Sequence, residues 1–278
     1  MRKAKSKSAF SWKQAAGVTM MLGFLFFALL PIIWSFILAL RPENRLFEPI
    51  WESPTDLTLA NIGKLADSGF PKALLNSFIT ASVSTALAVV IGVPGGFALA
   101  KGRSSRKFLA SWALLLLRMA PPVGFVIPLF ILYLNIGFLD TWWGLIGAYM
   151  VLTLPLVVWS SWTSLSQIPD ELIEASLLDG ATMGQTLRRV VIPAARPGLV
   201  ATSVLAFLLS WNDFFFALII TRSNTVTAPV AIMNFVSYAS VDWGSIAIAS
   251  IVLTLPTVPV IVFANKYIVQ SMGGAVKG

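Results

Sequence analysis

The sequence predicts an all-α integral membrane protein, six crossing helices with one polar helix pair between the fourth and the fifth. Three observations carry that expectation. The 278-residue chain is 57% hydrophobic and only 12% charged, with 19 Phe and 10 Trp, well beyond the apolar share of a soluble domain. Its apolar runs are long enough for a hydrocarbon core of about 30 Å, which takes about 20 helical residues. Between Pro169 and Pro197 this pattern is interrupted by four acids and three arginines.

In chain order the runs cover roughly Ala15 to Leu40, Leu74 to Ala100, Phe108 to Ile136, Trp142 to Trp162, Leu199 to Ile220 and Ser245 to Ile268. The first follows a basic start with Arg2, Lys3, Lys5, Lys7 and Lys13. It is too long for a cleaved signal core and is expected to stay as an anchor. The implied organisation is a tail over 1–14, a permeation domain over 15–268 and a second tail over 269–278. Lys and Arg accumulate without acids in the N-terminal segment and in the loop holding Lys101, Arg103, Arg106 and Lys107, whereas the loop from Arg41 to Lys72 mixes acids and bases. The basic segments belong in the cytoplasm. Parity then puts both termini and the 162–197 loop in the cytoplasm, and 41–72, the Asp140 turn and 221–244 outside.

Pro31, Pro94-Gly95-Gly96, Pro121-Pro122, Pro128, Pro155, Pro256 and Pro259 are read as breaks in the spans. Such breaks are tolerated where neighbours or a wet cavity satisfy the freed carbonyls, and they suit a protein that encloses a pathway.

The polar loop carries its own helix signals. Pro169 suits a first helical position, Asp170 and Glu171 suit the positive end of the dipole, and Gly180 stands where a C-terminal cap belongs. Thr182 with Gln185 has the form of a capping box, Arg188 and Arg189 fall in the last turn, and Pro193 is expected to end the second helix. Acidic and oily residues are mixed around the first helix. A helix lying on lipid headgroups usually presents bases instead, so the expected contact is a protein socket.

Glu174-Ala175-Ser176, Asp179-Gly180 and, after Val190, Ile192-Pro193 resemble in spacing the EAA signature of permease subunits of bacterial ABC importers. Ser replaces the usual second Ala. Asn76-Ser77, Gly137-Phe138-Leu139-Asp140-Thr141, Trp211-Asn212-Asp213-Phe214 and the terminal Gly274-Ala275-Val276-Lys277-Gly278 are similar to the carbohydrate-type branch, specifically the shorter six-helix permease of the maltose transporter family. The resemblance implies the transmembrane fold of a type I importer in the bacterial inner membrane, moving a sugar or polyol by alternating access. It further implies a coupling helix seated in a cytosolic ATPase, with Glu174, Ala175, Ser176, Asp179, Gly180 and Pro193 in the docking element. The implied partners are a second, homologous permease, two ATPase subunits binding ATP and magnesium, and an external solute-binding protein. The tail with Gly274, Val276 and Lys277 resembles one that reaches between the ATPases, and the 221–244 loop one that probes the binding protein's cleft.

Charge inside the membrane is costly, about 2.5 to 3.5 kcal/mol per group on insertion scales. Arg118 and Asp213 are placed at comparable depth near the middle of the third and fifth runs, and an ion pair or a shared wet cavity is expected, either structural or on the path. A neutral polyol needs amides, hydroxyls and aromatic faces. Asn212, Trp211, Asp213, Arg118 and Asn76 are therefore path candidates, with Tyr133, Tyr149 and Trp159 behind them, while Trp142, Trp143 and Trp162 suit an interfacial belt.

Catalysis by this chain is not expected. Without His or Cys no usual metal cluster can be assembled, no HExxH or GxSxG occurs, and no phosphate-binding GxxxxGK[ST] loop is present. Cofactors are therefore assigned to the partners, and the basic balance of +8 is topological, with no nucleic acid implied. A self-contained secondary transporter or channel is the rival reading. It would bind its own coupling ions and has no use for a cytosolic docking helix.

Overall fold

A computed structural model describes residues 12–46, 48, 49, 51, 52, 56–102, 107–238 and 240–273, with the backbone alone for 13–15, 115, 118 and 268–273. The order is α1 (Trp12–Leu40), α2 (Ala60–Asp67), α3 (Phe70–Lys101), α4 (Lys107–Met119), α5 (Pro122–Ile136), α6 (Trp142–Ser166), α7 (Asp170–Leu178), α8 (Met183–Thr186), α9 (Ile192–Ala194), α10 (Arg196–Trp211), α11 (Phe215–Ile220), α12 (Ala228–Ala231), α13 (Trp243–Thr254) and α14 (Thr257–Gly273). Among the described residues the only β pairing is a bridge between Val236 and Val241. The chain is all-α, as its composition predicts.

Four helical stretches among the described residues are long and apolar enough to cross a membrane, namely Ala16–Leu40, Phe70–Lys101, Trp142–Ser166 and Trp243–Tyr267. Met183–Ala194 meets Arg196–Trp211 at a bend of 84°, which makes a fifth if the pair counts as one span. The third expected run is divided. Ala120 and Pro121 separate α4 from α5, which starts at Pro122, and the 15 residues of α5 alone fall short of a full crossing. The fifth run is interrupted too, at Asn212-Asp213-Phe214.

Most of these prolines do not break their helices. Pro31, Pro94, Pro128 and Pro155 lie inside continuous helices, and only Pro121-Pro122 and the turn at Leu255-Pro256 mark interruptions. One lost N–H is absorbed where neighbouring helices pack tightly. The glycines on either side of Pro94 act in that packing instead. A Cβ on Gly96 would stand 2.7 Å from the Trp162 amide nitrogen and 2.9 Å from the Val158 carbonyl oxygen, and one on Gly92 would stand 2.8 Å from a Val157 methyl. This small-xxx-small stripe brings α3 and α6 backbone to backbone, the usual device where water cannot drive helices together.

Around that pair the core has three parts. At the Lys101 end of α3, Val93, Phe97, Leu165, Ile168, Ile173, Val191, Ala195 and Leu199 form one apolar cluster. Tyr133, Leu145, Tyr149, Phe216 and Ile220 fill a second, and small residues such as Ala39, Ala73, Ala228, Ala231 and Ala247 dominate a third. α1 packs little within the chain, with Met20, Phe24 and Phe27 largely exposed. Such a face needs lipid or another subunit against it.

Candidate functional site

Two groups of residues flank the bundle, one at each end of α3. At the Lys101 end, α7 begins after Pro169, which is the extended residue before the helix and not its first turn. Asp170 and Glu171 occupy the first turn as expected. The helix closes through Gly180, whose φ of 83° is left-handed, with Gly180 N–H reaching the Leu177 carbonyl and Ala181 N–H the Ser176 carbonyl. That is the glycine-dependent ending described for many helices. The capping box of α8 is present: Thr182 N–H donates to Gln185 Oε1 at 2.8 Å, and Gln185 N–H to Thr182 Oγ1 at 3.3 Å.

Pro193 does not end the second helix. The backbone widens into a π turn over Leu187–Val191, where Ile192 N–H reaches back five residues to Leu187, then continues through Ile192–Ala194 to the bend at Ala195. Wider turns of this kind recur at functional sites. Arg188 and Arg189 fall in the π turn and, with Thr182, Gly184 and Gln185, line an open cavity of about 560 Å³.

Only Ile173 of α7 is buried. Glu171, Glu174, Ala175 and Asp179 are exposed, together with Leu172, Leu177 and Leu178, the last at 89%. Ser176 is half-buried, and its hydroxyl meets that of the buried Thr186 at 2.7 Å, joining the two arms of the loop. α7 thus presents acids and leucines outward, held from behind by one isoleucine and a few polar bonds.

The opposite end is built around Asp140, which the sequence singles out only as part of Gly137-Phe138-Leu139-Asp140-Thr141. Each polar member of that run has a job. Gly137, at φ 73°, ends α5, and Thr141 Oγ1 caps α6 by accepting from Gly144 N–H at 3.0 Å. Asp140 accepts from the backbone N–H groups of Arg222, Ser223, Asn224 and Thr225 at 3.0 to 3.2 Å, and from the Thr225 hydroxyl at 2.9 Å. Partial burial alone would raise its pKa, but the donors of Arg222, Asn224 and Thr225 outweigh it and hold the carboxyl well below the ordinary range. Nearby, Lys64 bridges Glu43 at 3.0 Å and Asp242 at 3.5 Å.

Asn76 belongs to the same end. It is buried, its Nδ2 donates to the carbonyls of Asn224 and Val226, and its Oδ1 accepts from Trp142 Nε1 at 3.1 Å, while Ser77 Oγ accepts from Ala228 N–H. These bonds employ Asn76 in holding the loop and leave it poorly placed for a solute. Trp211 is likewise internal, 1% exposed, with Nε1 on the Leu253 carbonyl and its ring stacked on Phe207. Asp213 Oδ2 accepts from Ala217 N–H at 3.2 Å, capping α11 after the break. Of the path candidates, Asn212 alone has a described side chain that is exposed, with Nδ2 on the Leu208 carbonyl. Arg118 stands just before the end of α4, and its side chain lies outside the described residues, as do Gly274, Val276 and Lys277. The expected Arg118 contact with Asp213 therefore concerns a side chain outside the described set.

Comparison with known proteins gives the family and the fold. The family described as "binding-protein-dependent transport system inner membrane component" matches residues 92–273. The chain is 38% identical over 257 residues to the trehalose transport system permease protein SugB of Mycobacterium tuberculosis, covering 91% of this chain and 93% of the relative. It is 33% identical over 258 residues to the trehalose/maltose transport system permease protein MalG of Thermococcus litoralis, covering 90% and 92%. Its fold matches a chain in the crystal structure of a bacterial ABC transporter that imports the acidic polysaccharide alginate, with a TM-score of 0.77 at 19% identity over 96% of this chain and 99% of that one. With the fold shared and the family matched over most of its length, the chain belongs to the binding-protein-dependent transport system inner membrane components, the permease subunits of ABC importers.

Proposed function

We propose that this chain is the membrane-spanning permease subunit of an ATP-driven importer for a sugar or polyol. The observation that carries the reading is α7, a helix that shows Leu172, Leu177 and Leu178 to solvent between exposed acids, in a chain whose relatives are trehalose and maltose permeases. Exposed leucines on a short helix are costly unless a partner covers them. The partner with that geometry is a groove on a cytosolic ATPase, and α7 is its coupling helix, with Glu174, Ala175, Ser176, Asp179 and Gly180 in or around the contact and Pro193 shaping the elbow behind it.

Six crossings follow if α4 with α5, and α10 with α11, each act as one interrupted span, and the basic loops then put both termini and α7 in the cytoplasm. The opposite end, with its Asp140-anchored loop, faces the solute-binding protein. α1 and the exposed faces beside Asn212 pack against lipid and a second, homologous permease, so that the pathway runs between the two chains. Nucleotide and magnesium belong to two ATPase subunits. Closure of those subunits swings α7, and the permease pair rocks between inward and outward openings.

The test is reconstitution. The chain with its partner permease, ATPase and binding protein in proteoliposomes should take up labelled trehalose or maltose only with internal ATP and magnesium. Uptake driven by an ion gradient without the ATPase would favour the secondary-transporter reading instead.

A further inference from the structure

Lys101 is the last residue of α3, and its ammonium stands 2.6 Å from the Ile168 carbonyl oxygen and 2.6 Å from Asp170 Oδ1. Ile168 follows the end of α6 and Asp170 opens α7, so one side chain meets the ends of two spans and the start of the cytosolic helix. The Lys101 side chain is 14% exposed, whereas that of Asp170 is 73% exposed. An ion pair with so exposed a carboxylate contributes little. The mostly covered ammonium bonded to a buried residue's carbonyl is the stronger attachment, because charge-assisted hydrogen bonds out of water are roughly twice as strong as neutral ones.

The apolar contacts point the same way. Ile168 and Ile173 share a cluster with Val93 and Phe97 of α3, and with Val191, Ala195 and Leu199 beyond the loop. α7 is therefore fastened just before its first turn by Lys101 on Ile168 and at its middle by Ile173, while its other face is open.

We propose that Lys101 is the positioning residue that makes α7 and the long helix α3 move as one body, so that displacement of α7 reaches the membrane span. This rests on α7 being the coupling helix. Loss of the ammonium leaves α7 held through Ile173 and the Ser176–Thr186 contact, with its start free to pivot against α3, and the complex then moves less solute per ATP hydrolysed.

The experiment compares assembled transporters in proteoliposomes, reading solute imported per ATP hydrolysed. Lys101→Met should co-purify with the ATPase as the wild type does, yet import about tenfold less solute per ATP, the factor set by losing one charge-assisted hydrogen bond. Lys101→Arg, which keeps a donor and the charge, should restore the ratio, and Asp170→Asn should leave it within about twofold, as expected for an exposed pair. A merely structural lysine would lower protein yield, hydrolysis and uptake together, so an unchanged ratio in Lys101→Met overturns the proposal. Should that variant not accumulate, Lys101→Gln, which exchanges the charge-assisted bond for a neutral one about half as strong, should show a smaller loss in the same ratio, and an unchanged ratio there overturns the proposal equally. Leu178→Asp separates the two ideas. If it still holds the ATPase, the coupling reading falls and Lys101 with it; if it releases the ATPase while Lys101→Met stays coupled, only the Lys101 proposal falls.

Discussion

The two ends of the bundle solve opposite problems. At the Asp140 end a loop is pulled in: four consecutive N–H groups meet one carboxylate, Asn76 takes two more carbonyls, and Ser77 receives the start of α12. At the α7 end a helix is held out, with only Ile173 buried and three leucines exposed. On the proposed function, the first surface keeps its shape for the binding protein because polar bonds anchor it from behind, and the second leaves its apolar groups uncovered for the ATPase.

The sharpest way to break the contrast is to release the anchored end. Asp140→Ala leaves four backbone donors and a hydroxyl without their acceptor, and should destabilise the loop attachment by about 3 kcal/mol, the upper range for charged hydrogen bonds. Hydrogen exchange at Arg222 to Thr225 should quicken about a hundredfold, with binding-protein-stimulated uptake reduced and ATPase co-purification intact.

Acid should loosen the same loop less, since a neutral carboxyl still accepts. The carboxyl is held below its ordinary pKa, so its stabilising effect is complete above the free value of about 4 and fades as pH falls below it. Protection of the 222–225 amides should be constant from neutrality down to about pH 5 and decline beneath about pH 4, whereas Asp140→Asn should show no such decline. A pH-independent profile in the wild type counts against the clasp.

At the other end, Gly180→Val forces a β-branched residue to φ 83° and should cost about 1–2 kcal/mol of the α7 ending. No heavy atom stands within 4 Å of the added Cβ, so the defect is one of backbone and should appear as weaker ATPase binding, with normal membrane insertion. Normal ATP-driven uptake by this variant would tell against a role for α7.

Ser176→Ala restores the small residue of the family pattern but leaves the buried Thr186 hydroxyl without its partner, an effect of about 1 kcal/mol in thermal unfolding. Adding Thr186→Val should recover most of it, because removing both partners of a buried bond is nearly neutral. A double variant worse than the single one removes this contact from the account.

What could be read from residues alone was local. The capping box at Thr182 and Gln185, the acids in the first turn of α7 and the left-handed Gly180 all involve partners within a few positions, where residue type dictates geometry. The first, second and fourth apolar runs were legible for the same reason, whereas the third and fifth are divided. Pro193 is not legible in this way because a proline can be absorbed by a π turn, and the glycines beside Pro94 are not because their reason lies on another helix.

The sequence by itself therefore determined an apolar, all-helical chain with one capped polar loop, since helix formation depends on side chains three and four residues apart. Tertiary structure alone decided that Asn76 and Trp211 are anchors and that Asp140 and Lys101 join distant parts. The partners of Asp140 lie 82 to 85 residues away, those of Asn76 66, 148 and 150, and that of Lys101 on Asp170 69. No local spacing encodes such pairs, because they exist only when packed helices bring the ends of separate spans to the same edge of the bundle.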